Sequence, residues 1–277
     1  MSHNRLLISL VFLATASIGV GCATSPTGRS QLILHSADQM AQMGTSAFTE
    51  MKSKTPRSSN SSQTALVRCV ANSITSILTP ADTRSVSVGQ WEVELFDDPT
   101  ANAFALPGGK MGVHTGLLDV ATTPAQLAAV MGHEVAHVLA RHGNERISQS
   151  TSAQVVMGAV AVMAGADTPA RQQAMAALGL GVQYGILMPF GRGQESEADI
   201  VGLGLMARAG FDPRQSVTLW QNMARASSGQ APPEFMSTHP SNQTRISDLR
   251  AAMPQAIVLY DRAVSTGHRA NCQRILK

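Results

Sequence analysis

The strongest structural signal in this sequence is a helix over residues 123–143 whose two ends can both be recognised. At its start, Thr123 can cap the helix, Pro124 suits the first helical position, and Gln126 completes a Thr-x-x-Gln capping box. At its end, Gly143 favours the left-handed conformation in which helices often terminate. The two ends together predict one helix over these residues.

A His-Glu-x-x-His motif lies inside this helix. His133 and His137 are four residues apart, which places them on one face, one turn apart, where their imidazoles can converge on a single ion. Neutral imidazole nitrogen is a good ligand for Zn²⁺. Glu134 follows the first histidine and is suited to hold a water molecule at the ion and to take its proton. The motif therefore predicts a hydrolytic zinc site, with a buried pair of core histidines as the alternative.

A third metal ligand has to come from elsewhere, because catalytic zinc sites usually have three protein ligands and one open position. In the segment Glu-Ser-Glu-Ala-Asp, Glu195 and Asp199 lie one helical turn apart and face the same way. We predict that Glu195 binds the ion and that Asp199 accepts a hydrogen bond from a ligand histidine, which fixes its tautomer. Competing ligands, for which a solvated helix face is the ordinary interpretation, are His142, Glu145 and Glu197.

Short strands precede the helix. Residues 91–95 alternate between apolar and acidic side chains, and residues 103–106 and 110–114 flank a Pro-Gly-Gly turn, so these segments predict a small sheet. One strand could offer its edge to an extended polypeptide through main-chain hydrogen bonds, or be an ordinary capped edge. This strand would consist of Ala103, Phe104, Ala105 and Leu106. The predicted fold class is α+β, mainly helical, with the sheet beside the helix of the histidine motif.

The beginning of the sequence is typical of a targeting segment. Residues 1–21 contain Arg5, then an apolar run that is shorter than the roughly 20 residues of a membrane-spanning helix. They therefore predict a signal peptide. The following Cys22 resembles the lipidated cysteine of bacterial lipoproteins, and Ala23 in place of aspartate is typical of the outer membrane. An uncleaved anchor and a soluble secreted form are the alternatives.

The predicted organisation has a lipidated tether and lead-in segment at residues 22–62, followed by a metallopeptidase-type domain at 63–277. Within the domain, residues 151–190 are apolar and predict a helical hairpin or flap, or else two buried core helices. Export favours a disulfide between Cys69 and Cys272, although two isolated thiols are an equal alternative. Charged residues make up only 14% and basic residues do not cluster, which argues against nucleic-acid binding.

The motifs in this order resemble the zinc metallopeptidases that include the CAAX prenyl proteases and HtpX, and within them the LoiP/BepA-like branch of periplasmic lipoproteins. The resemblance rests on the stretches 27–32, 102–109, 132–137, 195–199, 209–213, 239–240 and 245–246. It implies a gluzincin-type domain that binds one Zn²⁺ per chain through His133, His137 and Glu195. It also implies that Glu134 is the catalytic base and that His239 approaches the metal.

The function that follows from this resemblance is a zinc endopeptidase of the bacterial periplasm, anchored at the inner face of the outer membrane. Its substrates would be extended, unfolded or misfolded envelope proteins. A chaperone-like lipoprotein with latent proteolysis and a zinc-stabilised structural module are the alternatives. Glu134 argues against the structural module, since a structural site needs no base and prefers four closed ligands.

Overall fold

The computed structural model describes residues 22–163, 190–226, 234–239 and 243–272. The strands are β1 (Cys22–Thr24), β2 (Ser30–Leu32), β3 (Glu92–Phe96), β4 (Ala103–Leu106) and β5 (Lys110–His114). The helices are α1 (Ala37–Lys54), α2 (Ser61–Thr75), α3 (Pro80–Thr83), α4 (Pro124–Leu139), α5 (His142–Met163), α6 (Arg192–Arg208), α7 (Gln215–Ala226), α8 (Glu234–Thr238) and α9 (Gln243–Ser265).

The larger sheet has the strand order β3-β5-β4. β3 runs parallel to β5, whereas β4 runs antiparallel to it and places Ala105 opposite Met111. β4 and β5 form the predicted hairpin, whose turn residues Gly108 and Gly109 adopt φ angles of 82° and 75° that side chains disfavour. β4 lies at the end of the sheet order and packs beside α4. The predicted fold class, mainly helical with an edge strand beside the motif helix, is confirmed.

Helix α4 forms the centre of the core and is buried from Gln126 to Leu139. Thr123 caps it by accepting the N–H of Gln126 at 3.2 Å. The predicted capping box is wrong in its second bond, because the Gln126 side chain accepts the N–H of Thr122 at 2.9 Å. The same side chain donates to Gln215 of α7 at 3.0 Å. A tertiary contact with α7 therefore helps to orient the Gln126 side chain.

The predicted stop of α4 at Gly143 is also wrong. Helix α4 ends at Leu139, and Arg141 adopts the left-handed conformation with φ of 58°. Its side chain donates to the carbonyl of Thr24 at 3.2 Å, which links this break to strand β1. Gly143 instead lies in the first turn of α5. The helix break thus depends on a contact with a distant segment.

Helices α4 and α6 cross at two glycines. A Cβ atom on Gly202 would lie 2.7 Å from the backbone nitrogen of His133, and one on Gly132 would lie 2.9 Å from the carbonyl oxygen of Gly202. The two backbones are thus in direct contact at this point. The crossing brings the acidic residues of α6 against the histidines of α4.

The lead-in segment 22–62 was expected to form a tether, yet it carries regular structure. β1 and β2 form an antiparallel hairpin, and α1 spans 18 residues. Phe48 of α1 lies edge-on against Phe96 and Phe104, with ring centroids 6.2 and 6.4 Å apart. These apolar contacts with the sheet make the segment part of the fold.

Three other expectations concern the ends and the apolar segment. The structure places a disulfide between Cys69 in α2 and Cys272, with Cα atoms 5.7 Å apart. The signal peptide at 1–21 and most of the 151–190 hairpin or flap (residues 164–189) lie outside the described residues. Among the helices that the structure describes, none has the length and apolarity needed to cross a membrane.

Candidate metal centre

The helix crossing brings four possible metal ligands together in the buried core. They are His133 and His137 from α4, Glu195 from α6 and His239, which follows α8. The Nε2 atom of His133 lies 3.0 Å from Nε2 of His137 and 3.2 Å from Nδ1 of His239. The Oε1 atom of Glu195 lies 3.0 Å from His239 Nδ1 and 3.5 Å from His137 Nε2.

This spacing fits a tetrahedral zinc ion. Ligand atoms at about 2.0–2.1 Å from zinc are separated by about 3.3 Å along the edges of a tetrahedron. Five of the six side-chain pairs have nitrogen or carboxylate atoms 3.0–3.5 Å apart, and the four ligand atoms all lie within 4.8 Å of one another, which is close to that arrangement. Each of the four side chains is at most 4% exposed, so that water competes little for the site. The donor set of imidazole and carboxylate also suits zinc.

Burial and hydrogen bonding shift the pKa values of the clustered residues in different directions. Burial lowers the pKa of His137 well below its ordinary value, which leaves a neutral imidazole that can bind a metal. Burial would lower the pKa of His133 too, but hydrogen bonds to Asp199 and Glu195 raise it to about 9. Although burial disfavours its charge, contacts with three histidines hold the pKa of Glu195 far below its ordinary value. A carboxylate therefore faces the histidines.

Asp199 orients His133 from behind. Its Oδ1 atom lies 3.0 Å from Nδ1 of His133, so that the imidazole directs Nε2 toward the cluster. Arg245 of α9 donates from Nε and Nη2 to the two oxygens of Asp199, each at 2.6 Å, and its Nη1 lies 2.7 Å from Glu195 Oε2. The guanidinium is 1% exposed and stacks 3.8 Å above the ring of Trp220. Sequence reasoning quoted Arg245 as a motif residue but assigned it no role.

Glu134 lies between the cluster and strand β4. Its Oε2 atom accepts the backbone N–H of Ala105 at 3.3 Å, and its Oε1 atom lies 3.4 Å from Nε2 of His239. Burial raises the pKa of Glu134, as expected for a carboxylate that has to accept and release a proton near neutral pH. The carboxylate is therefore placed between the metal ligands and the edge strand.

The residues that sequence reasoning treated as competing ligands do not join the cluster. His142, Glu145 and Glu197 are at most 2% exposed, so the expected solvated helix faces are wrong. Segments from the N-terminal hairpin cover them, because Arg29 pairs with both glutamates. His142 instead contacts the far nitrogen of His137, with Nδ1 atoms 2.8 Å apart. The sequence signal for this contact was that His142 follows His137 by five residues.

A comparison with known proteins identifies the family. The model of peptidase family M48 matches residues 62–253 of the chain, which include the four clustered residues and Glu134. This chain belongs to peptidase family M48. Family M48 peptidases are metal-dependent, which agrees with the donor set at the helix crossing.

Relatives within family M48 come from mitochondria and from bacteria. The chain is 40% identical to the mitochondrial metalloendopeptidase OMA1 of Schizosaccharomyces pombe over 61% of its length, and 32% identical to OMA1 of Danio rerio over 97%. It is 33% identical to the beta-barrel assembly-enhancing protease of Escherichia coli over 56%. These matches cover 48%, 56% and 33% of the respective relatives, so the chain spans about half or less of their lengths.

A cleft leads from the surface of this M48 domain to the cluster. Strand β4, Glu134 and His239 line it together with Phe190 and Thr238. Phe190 stacks on the ring of His137 with centroids 3.8 Å apart, and its N–H donates to the carbonyl of Thr238 at 3.1 Å. The cleft thus brings the edge strand and Glu134 together with His239 of the cluster.

Proposed function

We propose that the chain is a zinc-dependent endopeptidase that hydrolyses peptide bonds in extended, unfolded or misfolded proteins. The observation that carries this proposal is the juxtaposition of three features within a few ångströms: a four-donor cluster, the buried Glu134 and strand β4. A structural zinc site would have no use for a carboxylate held between the ligands and an open cleft.

The residues have distinct roles in the proposed reaction. His133, His137 and Glu195 would hold zinc, which when bound would supply Lewis acidity for the scissile carbonyl and the attacking water. Glu134 accepts the proton of that water and passes it to the leaving amine. Its raised pKa suits both steps. Asp199 and Arg245 keep the ligands oriented, since they contact His133 and Glu195 on the side away from the cleft.

Strand β4 is suited to hold the substrate. The N–H of His114 donates to the carbonyl of Asn102 at 3.0 Å, so these two residues form a hydrogen-bonded pair next to the ladder of β4 and β5. By the alternation of antiparallel strands, Ala103 and Ala105 direct their backbone groups away from β5. Because the Ala105 N–H is bonded to Glu134, an extended peptide added at this edge would replace that contact, lie along Glu134 and be bound mainly through its main chain. Such binding favours unfolded polypeptides over folded ones.

The resting arrangement supports latent activity as a second reading of the same site. Nδ1 of His239 lies at the position of a fourth ligand, close to both His133 and Glu195. A histidine in this position would exclude the attacking water until the His239 side chain moves away from the cluster. We infer a protease whose hydrolysis is restrained in the resting state, rather than a chaperone that has no need of Glu134.

The proposed location is the bacterial periplasm, with the chain anchored by a lipid on Cys22 at the inner face of the outer membrane. The lipobox-like sequence before Cys22 and the bacterial beta-barrel assembly-enhancing proteases among the relatives support this assignment. Membrane fractionation tests it: Cys22→Ser should release the protein into the soluble periplasmic fraction. Retention of an unprocessed Cys22→Ser protein in the membrane would contradict lipidation.

Hydrolysis of unfolded casein, with and without a chelator, tests the activity. We expect zinc-dependent cleavage, and Glu134→Gln should retain zinc while turnover falls by about 10²–10⁴-fold, the usual contribution of a positioned acid-base group. The matched control is Glu92→Gln, which removes a half-exposed carboxylate paired with lysines far from the cluster. If the wild type and Glu134→Gln both suppress casein aggregation and neither cleaves casein, the chaperone alternative is supported. Near-normal turnover of Glu134→Gln would remove Glu134 from the mechanism.

A further inference from the structure

The zinc ligand His137 has a second nitrogen that faces away from the cluster. Its Nε2 atom points to His133 and Glu195, whereas its Nδ1 atom lies 2.8 Å from Nδ1 of His142. Two imidazole nitrogens at this distance share one proton, so one donates and the other accepts. The direction of this bond decides which nitrogen of His137 has a lone pair for the metal.

The surroundings of His142 determine the direction. Its Nε2 atom lies 3.2 Å from Oε2 of Glu197, and a carboxylate can only accept a hydrogen bond. The Nε2 atom of His142 therefore bears the proton, and its Nδ1 atom is left as an acceptor. That acceptor takes the Nδ1–H of His137, which leaves the lone pair of His137 on Nε2, toward the cluster.

The N-terminal hairpin holds Glu197 in place. Oε1 of Glu197 accepts from the backbone N–H and the hydroxyl of Thr27, at 3.1 and 2.8 Å. Oε2 accepts from Nε of Arg29 at 3.2 Å, while the other two nitrogens of Arg29 bind Glu145 at 2.5 and 2.6 Å. Glu197 is 2% exposed, so without these donors its charge would be buried with Ser25 and His142 as its remaining hydrogen-bond partners.

We propose that the β1–β2 hairpin is part of the metal centre, because Arg29 positions His137 through Glu197 and His142. The proposal rests on the proposed zinc site. Arg29, Glu197 and His142 are positioning residues and touch neither metal nor substrate. The consequence is that the segment directly after the predicted lipid anchor reaches the metal ligand His137 through three consecutive side-chain contacts, and displacement of the hairpin weakens metal binding.

Metal affinity and the absorption spectrum of the Co²⁺-loaded protein test this proposal without an activity assay. Loss of a residue that orients a ligand typically weakens metal binding about 10–100-fold. We expect a loss of this size in zinc affinity for Arg29→Met, together with altered d–d bands of Co²⁺. Arg29→Lys keeps the charge but loses the forked contact, so its loss should be smaller.

Arg208→Met is the matched control. Its side chain is 33% exposed, against 31% for Arg29, and it pairs with Asp82 at 3.3 Å far from the cluster. We expect unchanged zinc affinity and an unchanged Co²⁺ spectrum for this variant. Thermal unfolding of the metal-free proteins shows whether Arg29→Met and Arg208→Met lose comparable stability, which separates positioning from general destabilisation.

A second series changes His142 itself. His142→Asn keeps an acceptor where Nδ1 lies but cannot reach Glu197, whereas His142→Leu removes both contacts. Zinc affinity should fall in the order wild type, His142→Asn, His142→Leu. If the His142 variants do not fold, the variants of the half-exposed Arg29 test the proposal by themselves. Absence of metal binding by the wild type would refute the zinc site, whereas normal binding and an unchanged Co²⁺ spectrum in Arg29→Met would refute the hairpin's role alone.

Discussion

The crossing of α4 and α6 makes Gly202 a sensitive test of how the site is built. A Cβ atom at this position would lie 2.7 Å from the backbone nitrogen of His133 and 2.8 Å from its Cα atom. Ordinary van der Waals contact begins at 3.4 Å, so the helices must separate by about 0.7 Å to accept Gly202→Ala. The obstructing atoms belong to the backbone and cannot rotate away.

This displacement exceeds what the metal site tolerates. Metal–ligand distances vary by about 0.2 Å in functional sites. Glu195 lies two turns before Gly202 on α6 and moves with that helix, whereas His133 stays with α4. We therefore expect Gly202→Ala to weaken zinc binding at least about tenfold and to lower casein hydrolysis by about 10²-fold, the usual effect of a 1 Å misplacement.

The effect on stability separates into two opposing contributions. Alanine in place of glycine stabilises a helix by up to about 1 kcal/mol. Overpacking at Gly202 costs about 1–3 kcal/mol. Gly204→Ala is the matched control on the same helix, because a Cβ there would meet only Leu259 Cδ1 at 3.9 Å. The metal-free Gly202→Ala protein should therefore unfold several degrees below Gly204→Ala, at about 2–4 °C per kcal/mol.

Isothermal titration with zinc and differential scanning calorimetry measure the two effects. Gly204→Ala should bind zinc as the wild type does and unfold at the same or a higher temperature. A Gly202→Ala protein with wild-type zinc affinity and the thermal stability of Gly204→Ala would refute the reasoning, since it would show that the two helices can separate without disturbing the ligands.

Three further predictions concern other parts of the molecule. His239→Ala should raise casein hydrolysis several-fold without unfolding the protein, because it opens the fourth ligand position; a rate below wild type would instead assign His239 to stabilising the transition state. Replacing Cys69 and Cys272 together by serine should lower the free energy of unfolding by about 2–4 kcal/mol, since the bridge closes a loop of 203 residues, and urea unfolding measures this. The metal-free protein should lose stability as the pH falls below about 4.5, because contacts with Arg29 and Arg245 outweigh burial and hold the pKa values of Glu145 and Asp199 below their unfolded values. These carboxylates stabilise the fold above the unfolded pKa and lose that contribution on protonation. Calorimetry between pH 7 and pH 3 should therefore show a falling unfolding temperature, and a constant temperature would contradict this prediction.

The sequence alone determined what depends on neighbours along the chain. The cap at Thr123 and the helical period place His133 and His137 on one face of α4 regardless of the remaining fold. The turn with glycines after residue 106 specified the hairpin of β4 and β5 for the same local reason. The helical spacing of Glu195 and Asp199 also indicated Glu195 as the third ligand, whereas His239 was indicated only through a resemblance to a family, and neither came with a physical account of its approach to the histidines.

Tertiary structure decided everything that joins distant segments. Glu195 reaches the histidines because glycines let the backbones of α4 and α6 touch, and no local pattern encodes which glycine meets which helix. Arg29 lies more than a hundred residues from Glu197 along the chain, yet its ion pair with that residue buries an expected solvated face, and Glu197 in turn contacts His142 next to the proposed metal ligand His137. Burial is a property of the assembled fold: the charge pattern of a helix shows which side chains are polar, whereas the segment packed over them decides whether they face water or hold a metal ligand in place.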